Sequence, residues 1–463
     1  MTAWWRSILV RSGLLLGDLD GLSMAKRHES ERRVRARWSI LVNILSRGLA
    51  FLAVLVSARI ALPDLGPQRF GIWMTISSLL LMVTFLDFGV GNGLVAPIAK
   101  ALADNHPDEA RAIASRGMVL ASGIGLAMGG TVVLVFSFIP LSFLFPGVAP
   151  SVLGEARTGL LVFGGLIGLT PTLGGFGRIL AGMQRAYVSH IANAAGSVAT
   201  MILLVLLGGR DISISGYILM TFGLVQAAAL VTGWMLRRQG WLSLRFVKGT
   251  TWWQYRAMLA TGGLFLMVQL TMVVAVGLDQ TLISAMLGPA AVANYAVAQR
   301  LFMLVSQPLY ILNAPLWPAY ADALHRGDHK DVRRTLRRSM LGTLGISVAG
   351  GLLLLVIGPH AWAAVTGKVV IYSGGLMAGF ALWSITESVS NAWGMYLNAA
   401  HLLREQAITM TVVAVTAILA KVVVLYVGSV AAVPIVGAVV YTGFQLLFYA
   451  GVFRRRVRES LSV

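Results

Sequence analysis

Long runs of hydrophobic residues, separated by short polar segments, fill the chain from residue 38 onward. A transmembrane helix needs about 20 predominantly apolar residues, and nearly every run reaches that length. The pattern therefore predicts an all-α integral membrane protein. The fourth run contains Pro171 and several glycines, which membrane helices tolerate. Twelve spans are expected, at 38–62, 70–94, 117–140, 157–178, 187–208, 213–236, 260–287, 290–318, 340–358, 374–398, 407–428 and 431–453.

The composition of the chain supports the same class. Hydrophobic residues make up 57%, charged residues 12%, and the mean hydropathy is +0.78. Soluble domains are about half apolar and about a quarter charged. A soluble enzyme, a nucleic-acid-binding module and a disordered chain are therefore disfavoured. The chain has no cysteine, and its 7 histidines show no metal-ligand spacing, so neither disulfides nor a metal site are expected.

Positive charge is distributed unevenly between the polar segments. With the N-terminus inside, 29 Lys and Arg residues fall on cytoplasmic segments and four on external ones. Cytoplasmic loops of membrane proteins carry such an excess. We therefore predict that both termini are cytoplasmic, and the net charge of +19 requires no nucleic-acid partner. The other four lie within predicted spans: Arg47, Arg59, Arg300 and Lys421.

A short motif repeats along the chain. Leu65-Gly66-Pro67 recurs as Leu287-Gly288-Pro289, an offset of 222 residues that also aligns Trp73 with Tyr295. Two six-span halves in one orientation would be related by a pseudo-two-fold axis along the membrane normal. The predicted organisation is a basic tail at 1–37 (with Met24 as an alternative start), a six-helix lobe at 38–236, a cytoplasmic or interfacial linker at 237–259, a six-helix lobe at 260–453 and a basic tail at 454–463.

Two stretches resemble a known family. LGPQRFGIWMTISSLLLMVTFLDFGVGNGLVAPIAKAL at 65–102, and the stretch at 278–340 that begins LDQTLISAMLGPAAVANYAVAQR, resemble Wzx-type flippases of the multidrug/oligosaccharidyl-lipid/polysaccharide (MOP) exporter superfamily. The resemblance implies alternating access around a central cavity in the bacterial inner membrane. The implied substrate is an undecaprenyl-diphosphate-linked oligosaccharide, moved from the cytoplasmic to the periplasmic leaflet. The implied partners are that lipid, membrane lipids, and glycan polymerase and chain-length machinery.

Three other functions were weighed. A multidrug efflux antiporter shares the twelve-span architecture and is the nearest rival. Lipid II flippases usually have fourteen spans, which argues against that role. A membrane polymerase or ligase would need a larger external loop than the predicted ones at 141–156 and 359–373. We expect no cofactor, although coupling to a proton or sodium gradient fits a transporter of this type.

Two arginines are predicted at the bilayer midplane, where charge is costly. At 1.5 Å per residue, Arg47 and Arg300 lie roughly 14 and 15 Å inside a core about 30 Å thick. Asn43 shares the helical face of Arg47, and Gln307 that of Arg300. Because arginine binds phosphate bidentately, we expect both arginines to face one cavity and contact the anionic part of a substrate. A structural salt bridge is the alternative, and Lys421 is a third candidate cation.

One carboxylate is predicted deep within the tenth span. Glu387 lies on a polar stripe with Ser384, Asn391 and Asn398, whose spacing places them on one helical face. Helix–helix hydrogen bonding, a response to protons or sodium, and substrate contact all remain open for this stripe. Weaker candidates near the membrane boundaries, expected to be solvated or to cap helices, are Arg59, Asp87 and Asp279.

Overall fold

The computed structural model describes residues 24–84, 90–247, 277–400 and 402–461, together with Tyr255, and these residues form helices joined by short loops. The predicted all-α architecture is thus confirmed for the described residues. The first half contains α1 (Met24–Thr84), α2 (Val90–Ala103), α3 (Pro107–Phe138), α4 (Pro150–Gly182), α5 (Ala186–Leu207), α6 (Ile214–Ile218), a π-helical turn (Leu219–Gly223), α7 (Leu224–Arg238) and a 3-10 turn (Leu244–Phe246). The second half contains α8 (Asp279–Leu287), α9 (Pro289–Asn313), α10 (Leu316–His325), α11 (His329–Val356), α12 (Gly358–Thr366), α13 (Gly374–Ala399), α14 (Leu403–Tyr426) and α15 (Ala432–Leu461).

Seven helical stretches of the described residues are long and apolar enough to cross a membrane. Each coincides with predicted spans, whereas most of the predicted seventh span lies outside the described residues. Helices α9 and α13 occupy the positions of the eighth and tenth spans and carry the polar stripes. The count of twelve stays a prediction. The seven are Trp38–Leu79, Pro107–Phe138, Pro150–Gly182, Ala186–Leu207, Ile214–Arg238, His329–Val356 and Ile408–Tyr426.

Both copies of the repeated motif break a helix in the same way. Gly66 has φ 67° and ψ 169°, and Gly288 has φ 85° and ψ 160°. Glycine adopts positive φ at little cost, and a proline directly after it suits the first position of the next helix. Pro67 and Pro289 follow the two glycines. The repeat therefore encodes one local structure, at the turn between the first two helical stretches of each half.

Among the described residues, the two halves share a buried core at one end and form separate cores at the other. We call the helix ends predicted to face outside the outer ends, and the opposite ends the inner ends. At the outer ends, one cluster of buried side chains includes Phe70 and Phe145 of the first half and Tyr295 and Phe380 of the second. At the inner ends, separate clusters form within each half. The halves therefore diverge from their joined outer ends toward their inner ends.

Close contacts across the outer ends join the halves. The side chain of Ser284 donates to the carbonyl oxygen of Leu144 at 3.0 Å. A Cβ atom on Gly71 would overlap the carbonyl oxygen of Pro289, so the backbone of α9 lies directly against α1. Only glycine permits such an approach.

Glycines also explain the low hydropathy of the fourth span. Gly125 and Gly129 of α3 face Gly168 and Gly164 of α4, and a Cβ on either α3 glycine would meet the α4 backbone. Small residues let membrane helices approach closely. The fourth span therefore packs through a glycine face, and its helix is continuous through Pro171.

The linker begins against the inner core of the first half. The Ser115 hydroxyl donates to the Trp241 carbonyl at 3.2 Å and accepts from the Ser243 backbone at 3.1 Å. Trp241 is buried within this core. Trp252 and Trp253 lie outside the described residues.

Candidate functional site

A cavity of about 560 Å³ lies within the first half, which we call the N-half cavity. Helices α1, α4, α5 and α7 and the π-helical turn line it. One lining residue, Arg300 of α9, comes from the second half. The lining side chains that matter most here are Ser57, Trp73, Ser77, His190, Asn193, Gln226 and Arg300.

Arg300 carries a buried positive charge to the junction of the halves. Its side chain is 7% exposed, and its Nη1 donates to the carbonyl oxygen of Val54 at 3.1 Å. Its Cζ lies 5.2 Å from the ring centroid of Trp73. The same Val54 carbonyl accepts from the Ser57 hydroxyl at 2.7 Å. Within the described residues, Arg300 forms no ion pair with a carboxylate. A desolvated guanidinium of this kind suits an anionic ligand.

Arg47 lies next to the N-half cavity, nearer the inner end, and is not among its lining residues. Its side chain is exposed, and its Nε donates to Asn43 Oδ1 at 3.1 Å. Arg47 precedes Ala50 and Val54, which line the cavity, by three and seven residues on one helical face. It also lies near His190, which lines the cavity.

The two arginines do not meet at one depth. Val54, the partner of Arg300, lies about 10 Å further along α1 than Arg47. Arg47 also turns away, because Asn43 is one helical turn closer to the inner end. The depth arithmetic placed both arginines at the midplane. It locates backbone positions, whereas side-chain direction sets where each charge lies.

Several buried polar atoms at this cavity have no protein partner in the described part of the chain. They are Trp73 Nε1, Ser77 Oγ and Gln226 Oε1. Such atoms cost about 1–3 kcal/mol each when unsatisfied. The Gln226 amide is held in place, since its Nε2 donates to Leu166 O and to Thr170 Oγ1, both at 3.1 Å. The wall therefore presents fixed polar groups to a ligand or to water.

The π-helical turn at Leu219–Gly223 places Thr221 and Phe222 on the wall of the N-half cavity. The Thr221 hydroxyl donates back to the Tyr217 carbonyl at 2.6 Å. Irregular turns of this kind often occur at functional sites. The hydrophobic pattern gave no signal for it, because the sixth span is predominantly apolar here.

A second cavity, of about 160 Å³, lies within the second half, and we call it the C-half cavity. The predicted stripe residues Glu387, Asn391 and Asn398 all line it. Tyr310 donates to Glu387 Oε1 at 2.8 Å, and Asn313 Nδ2 donates to Asn391 Oδ1 at 3.2 Å. Sequence reasoning missed Trp383, which is on the same helix as the stripe, and the lining residues from other helices: Tyr310, Gln406, Tyr441 and Gln445.

Two polar residues that share a helical face with Glu387 or Arg300 do not line either cavity. The Ser384 hydroxyl donates to the Ala381 carbonyl of its own helix at 2.9 Å. Gln307 is half-buried and lines neither of the two cavities. Sharing a helical face with a site residue is therefore not sufficient to reach a cavity.

Lys421 and Asp279 form a buried ion pair, which corrects the expectation for both. Lys421 Nζ lies 2.6 Å from Asp279 Oδ1, and the two side chains are 2% and 9% exposed. Tyr295 donates to Asp279 Oδ2 at 2.6 Å. Lys421 was expected at a cavity wall and Asp279 at the interface. The packing of α8 against α14 brings these opposite charges together, and the position of each residue within its own span does not reveal this contact. The attraction between the two charges offsets part of the free-energy cost of burying them.

The remaining boundary candidates lie apart from both cavities or outside the described residues. Arg59 is exposed, and its guanidinium lies against the backbone of Gly367 at the outer end. Asp87 lies outside the described residues.

An ionic network that sequence reasoning missed joins the outer ends of the first half. Arg69 binds Glu155 with two nitrogens, at 2.8 and 2.9 Å, and Tyr217 donates to Asp64 at 2.7 Å. The two partners of the Arg69–Glu155 bridge are 86 residues apart, so no local pattern reveals it.

The fold matches solved transporter structures over most of the chain. An inward-facing multidrug resistance MATE family transporter of the MOP superfamily superposes with a TM-score of 0.72 at 14% identity, covering 88% of this chain and 98% of that one. An outward-facing one gives 0.61 at 15%, covering 93% and 96%. A MOP superfamily transporter of Pyrococcus furiosus, described as having a binding pocket of reverse polarity, gives 0.56 at 13%, covering 91% and 96%. The helices thus define a membrane-spanning protein with the fold of the MOP superfamily transporters.

Comparison of the sequence with known families assigns the chain to one of them. The profile of the family described as polysaccharide biosynthesis protein matches residues 35–323, more than half of the chain, and the chain belongs to this family. A protein of Salmonella typhimurium named for O-antigen transport is 23% identical over 313 residues, which cover 66% of this chain and 68% of that protein. The resemblance drawn from the sequence is confirmed.

Proposed function

We propose that the protein is a flippase that moves an undecaprenyl-diphosphate-linked oligosaccharide from the cytoplasmic to the periplasmic leaflet of the bacterial inner membrane. In this proposal, twelve spans form two six-helix lobes with both termini in the cytoplasm. The observation that carries it is Arg300, a buried cation from one half that faces a polar cavity in the other half. A diphosphate would supply the negative charge that this cation lacks within the described residues.

The divergence of the halves supports alternating access. With the outer ends joined and the inner ends apart, a substrate would enter from the cytoplasmic side. Separation of the outer core would then release the head group outside, while the lipid tail stays in the bilayer.

The positions of the two arginines support a sequential route for the anion. We propose that Arg47, exposed at the inner margin, attracts the diphosphate first, and that Arg300 receives it deeper in the N-half cavity. Lys421 is not part of this route, since it pairs with Asp279. The similar charge and different depth of the two arginines favour transfer over a simultaneous grip.

Glu387 is the proposed site of coupling to a proton or sodium gradient. It lies deep in the predicted tenth span, on the wall of a cavity, with the Tyr310 hydroxyl as a hydrogen-bond donor. A carboxylate in such a place can change its protonation or bind a cation as the cavity opens to either side.

The test of the flippase proposal is lipid-linked glycan accumulation in a deletion strain. Loss of the gene should leave the lipid-linked glycan on the cytoplasmic leaflet and stop its export. The intact gene should restore export, and an Arg300→Ala variant present at the same level should not. Normal export in the deletion strain, with no second gene of this family, would contradict the proposal.

The polarity of the C-half cavity favours a second candidate, multidrug efflux. Glu387 lies there among Tyr310, Trp383 and Tyr441, and aromatic rings with a carboxylate can bind organic cations. Buried Arg300 disfavours a cation in the N-half cavity. Faster ethidium accumulation in the deletion strain, with unchanged glycan export, would favour efflux instead. Contacts with glycan polymerase and chain-length machinery are a further part of the flippase proposal.

A further inference from the structure

The C-half cavity differs in chemistry from the N-half cavity. None of its described lining residues is a lysine or arginine. Amide side chains and aromatic rings predominate, with a single carboxylate. The residues on which the argument depends are Trp383, Glu387, Asn391, Gln406, Tyr441 and Gln445.

Two aromatic rings form one wall of this cavity. The centroids of Trp383 and Tyr441 lie 5.8 Å apart at an interplanar angle of 78°. The C–H face of a sugar ring packs well against such faces, and the polar tips of Trp and Tyr tolerate its hydroxyl groups. Amides supply both donors and acceptors for those hydroxyls.

One amide that lines the cavity has an oxygen atom without a hydrogen-bond donor in the described chain. Gln406 is 7% exposed, and its Oε1 has no hydrogen-bond partner among the described residues. By contrast, Gln445 Oε1 accepts from the Ser390 hydroxyl at 2.7 Å. A buried acceptor costs free energy until a donor meets it, and a hydroxyl group of a ligand has the chemistry to do so.

We propose that the C-half cavity is a carbohydrate subsite that takes a neutral or N-acetylated sugar ring of the transported glycan. The inference rests on the proposed flippase function. Gln406, Gln445 and Asn391 would bind the ring hydroxyls, with Trp383 and Tyr441 against the ring face. A uronic acid is disfavoured, because its carboxylate would face Glu387.

The position of the two cavities along α9 suits one substrate molecule. Arg300 faces the N-half cavity, and Tyr310, ten residues later, lines the C-half cavity. Ten helical residues span about 15 Å. The diphosphate at Arg300 and a sugar some way along the glycan could therefore occupy both cavities together.

The experiment measures lipid binding to the full chain in nanodiscs. Four probes are used: undecaprenyl diphosphate alone, and the same lipid carrying a trisaccharide of hexoses, of N-acetylhexosamines or of hexuronic acids. We expect the hexose or the N-acetylhexosamine trisaccharide to lower Kd at least tenfold relative to the bare lipid. The hexuronic acid form should gain less than threefold.

Gln406→Leu is the decisive variant. It replaces an incompletely bonded buried amide by an apolar group of similar size, so the protein should unfold at the same or a higher temperature. It should remove at least fivefold of the sugar-dependent gain and leave binding of the bare lipid unchanged. Gln445→Leu should also reduce the sugar-dependent gain. The Ser390 hydroxyl stays bonded in this variant, because it keeps its 2.6 Å bond to the Thr386 carbonyl. The matched control is Gln239→Leu, at an exposed position outside both cavities.

Separate outcomes test the two proposals. If the bare lipid binds and no trisaccharide improves its affinity, or if Gln406→Leu keeps the full gain, the carbohydrate subsite is wrong and the flippase proposal stands. A larger gain for the hexuronic acid form would also overturn the subsite. If none of the four lipids binds, both proposals fail.

Discussion

The Nη1 atom of Arg300 lies 3.1 Å from the carbonyl oxygen of Val54, and these residues belong to opposite halves of the chain. The Arg300 guanidinium also lies over Trp73, so one cation contacts α1 on both sides of its break at Gly66 and joins both stretches to α9. In the proposed alternating-access cycle, these contacts would change as the halves separate. Arg300 therefore couples the proposed anion site to the interface between the halves.

Substitutions of Arg300 should reduce transport by an amount that depends on whether the charge or only the guanidinium shape is removed. Arg300→Ala removes a charge-assisted interaction of about 1.5–3 kcal/mol, and we expect transport to fall roughly 10- to 100-fold. Arg300→Lys keeps the charge but loses the planar fork, so its effect should be intermediate. The measurement is substrate flipping in inverted membrane vesicles. Arg157→Ala, at an exposed outer position, is the control, and equal rates for Arg300→Ala and this control would refute the role.

Substitution of Glu387 should alter gradient dependence rather than folding. Glu387→Gln can still accept from Tyr310 but cannot carry charge, so transport should become slower and insensitive to imposed proton or sodium gradients. Flux into proteoliposomes with each gradient imposed separately provides the measurement. Glu109→Gln, in the exposed first turn of α3 at the inner end, is the matched control. Unchanged gradient dependence would make Glu387 a packing residue.

The buried pair Lys421–Asp279 should be energetically coupled. Lys421→Met leaves the Asp279 carboxylate buried without its cation, which should cost about 3–5 kcal/mol. Asp279→Asn combined with Lys421→Met should recover most of this loss, because both charges are gone. Unfolding in detergent for the two single variants and the double variant completes the cycle. If the double variant is destabilised by the sum of the single effects, the residues do not interact.

The outer contact between the halves should depend on Gly71. Gly71→Ala places a methyl group against the Pro289 carbonyl, so the outer ends should separate more readily. The natural chain contains no cysteine, and Ser284→Cys therefore introduces a unique thiol at this interface. We expect Gly71→Ala to raise labelling of that thiol several-fold by an impermeant maleimide added outside.

Gly165→Ala is the control for this experiment, since a Cβ at Gly165 meets no atom within 4 Å. Its labelling rate should match that of the parent protein. Equal rates for Gly71→Ala and Gly165→Ala would show that the contact does not hold the outer ends together.

Reporter fusions should reveal the membrane orientation. Fusions after residues 148, 210, 289, 366 and 430 should report outside, and fusions after 105, 245, 330 and 402 should report inside. The reason is the excess of Lys and Arg on the segments assigned to the cytoplasm. Paired alkaline phosphatase and green fluorescent protein fusions provide the measurement. An external position for residue 245 would be incompatible with both the span count and the parallel repeat.

Helix positions were largely predictable from the sequence. The expected fifth span at 187–208 corresponds to Ala186–Leu207, and the tenth at 374–398 to Gly374–Ala399. Hydrophobic length is a local property, because each helix must satisfy its own backbone in lipid. The fourth span is rich in glycine because its glycines form a packing face against α3. This contact is between helices and could not be predicted from the hydrophobic pattern.

The candidate sites were predictable only in part. The stripe of Glu387, Asn391 and Asn398 was visible from helical spacing, and all three line one cavity. The partners of that stripe come from other helices, so neither Tyr310 nor Gln406 could be assigned beforehand. Lys421 and Asp279 are 142 residues apart in the sequence, and only the packing of their helices shows that they form an ion pair.

The sequence by itself determined the class of protein, the approximate helices, the expected orientation and the motif that breaks a helix at Gly66 and Gly288, because each depends on composition or on neighbouring residues. The tertiary structure alone decided which buried charge meets a carboxylate and which does not within the described residues. Lys421 meets a carboxylate, whereas Arg300 meets a carbonyl oxygen and an aromatic ring in the described chain. That difference arises from contacts between helices 142 and 246 residues apart, and no local pattern encodes it.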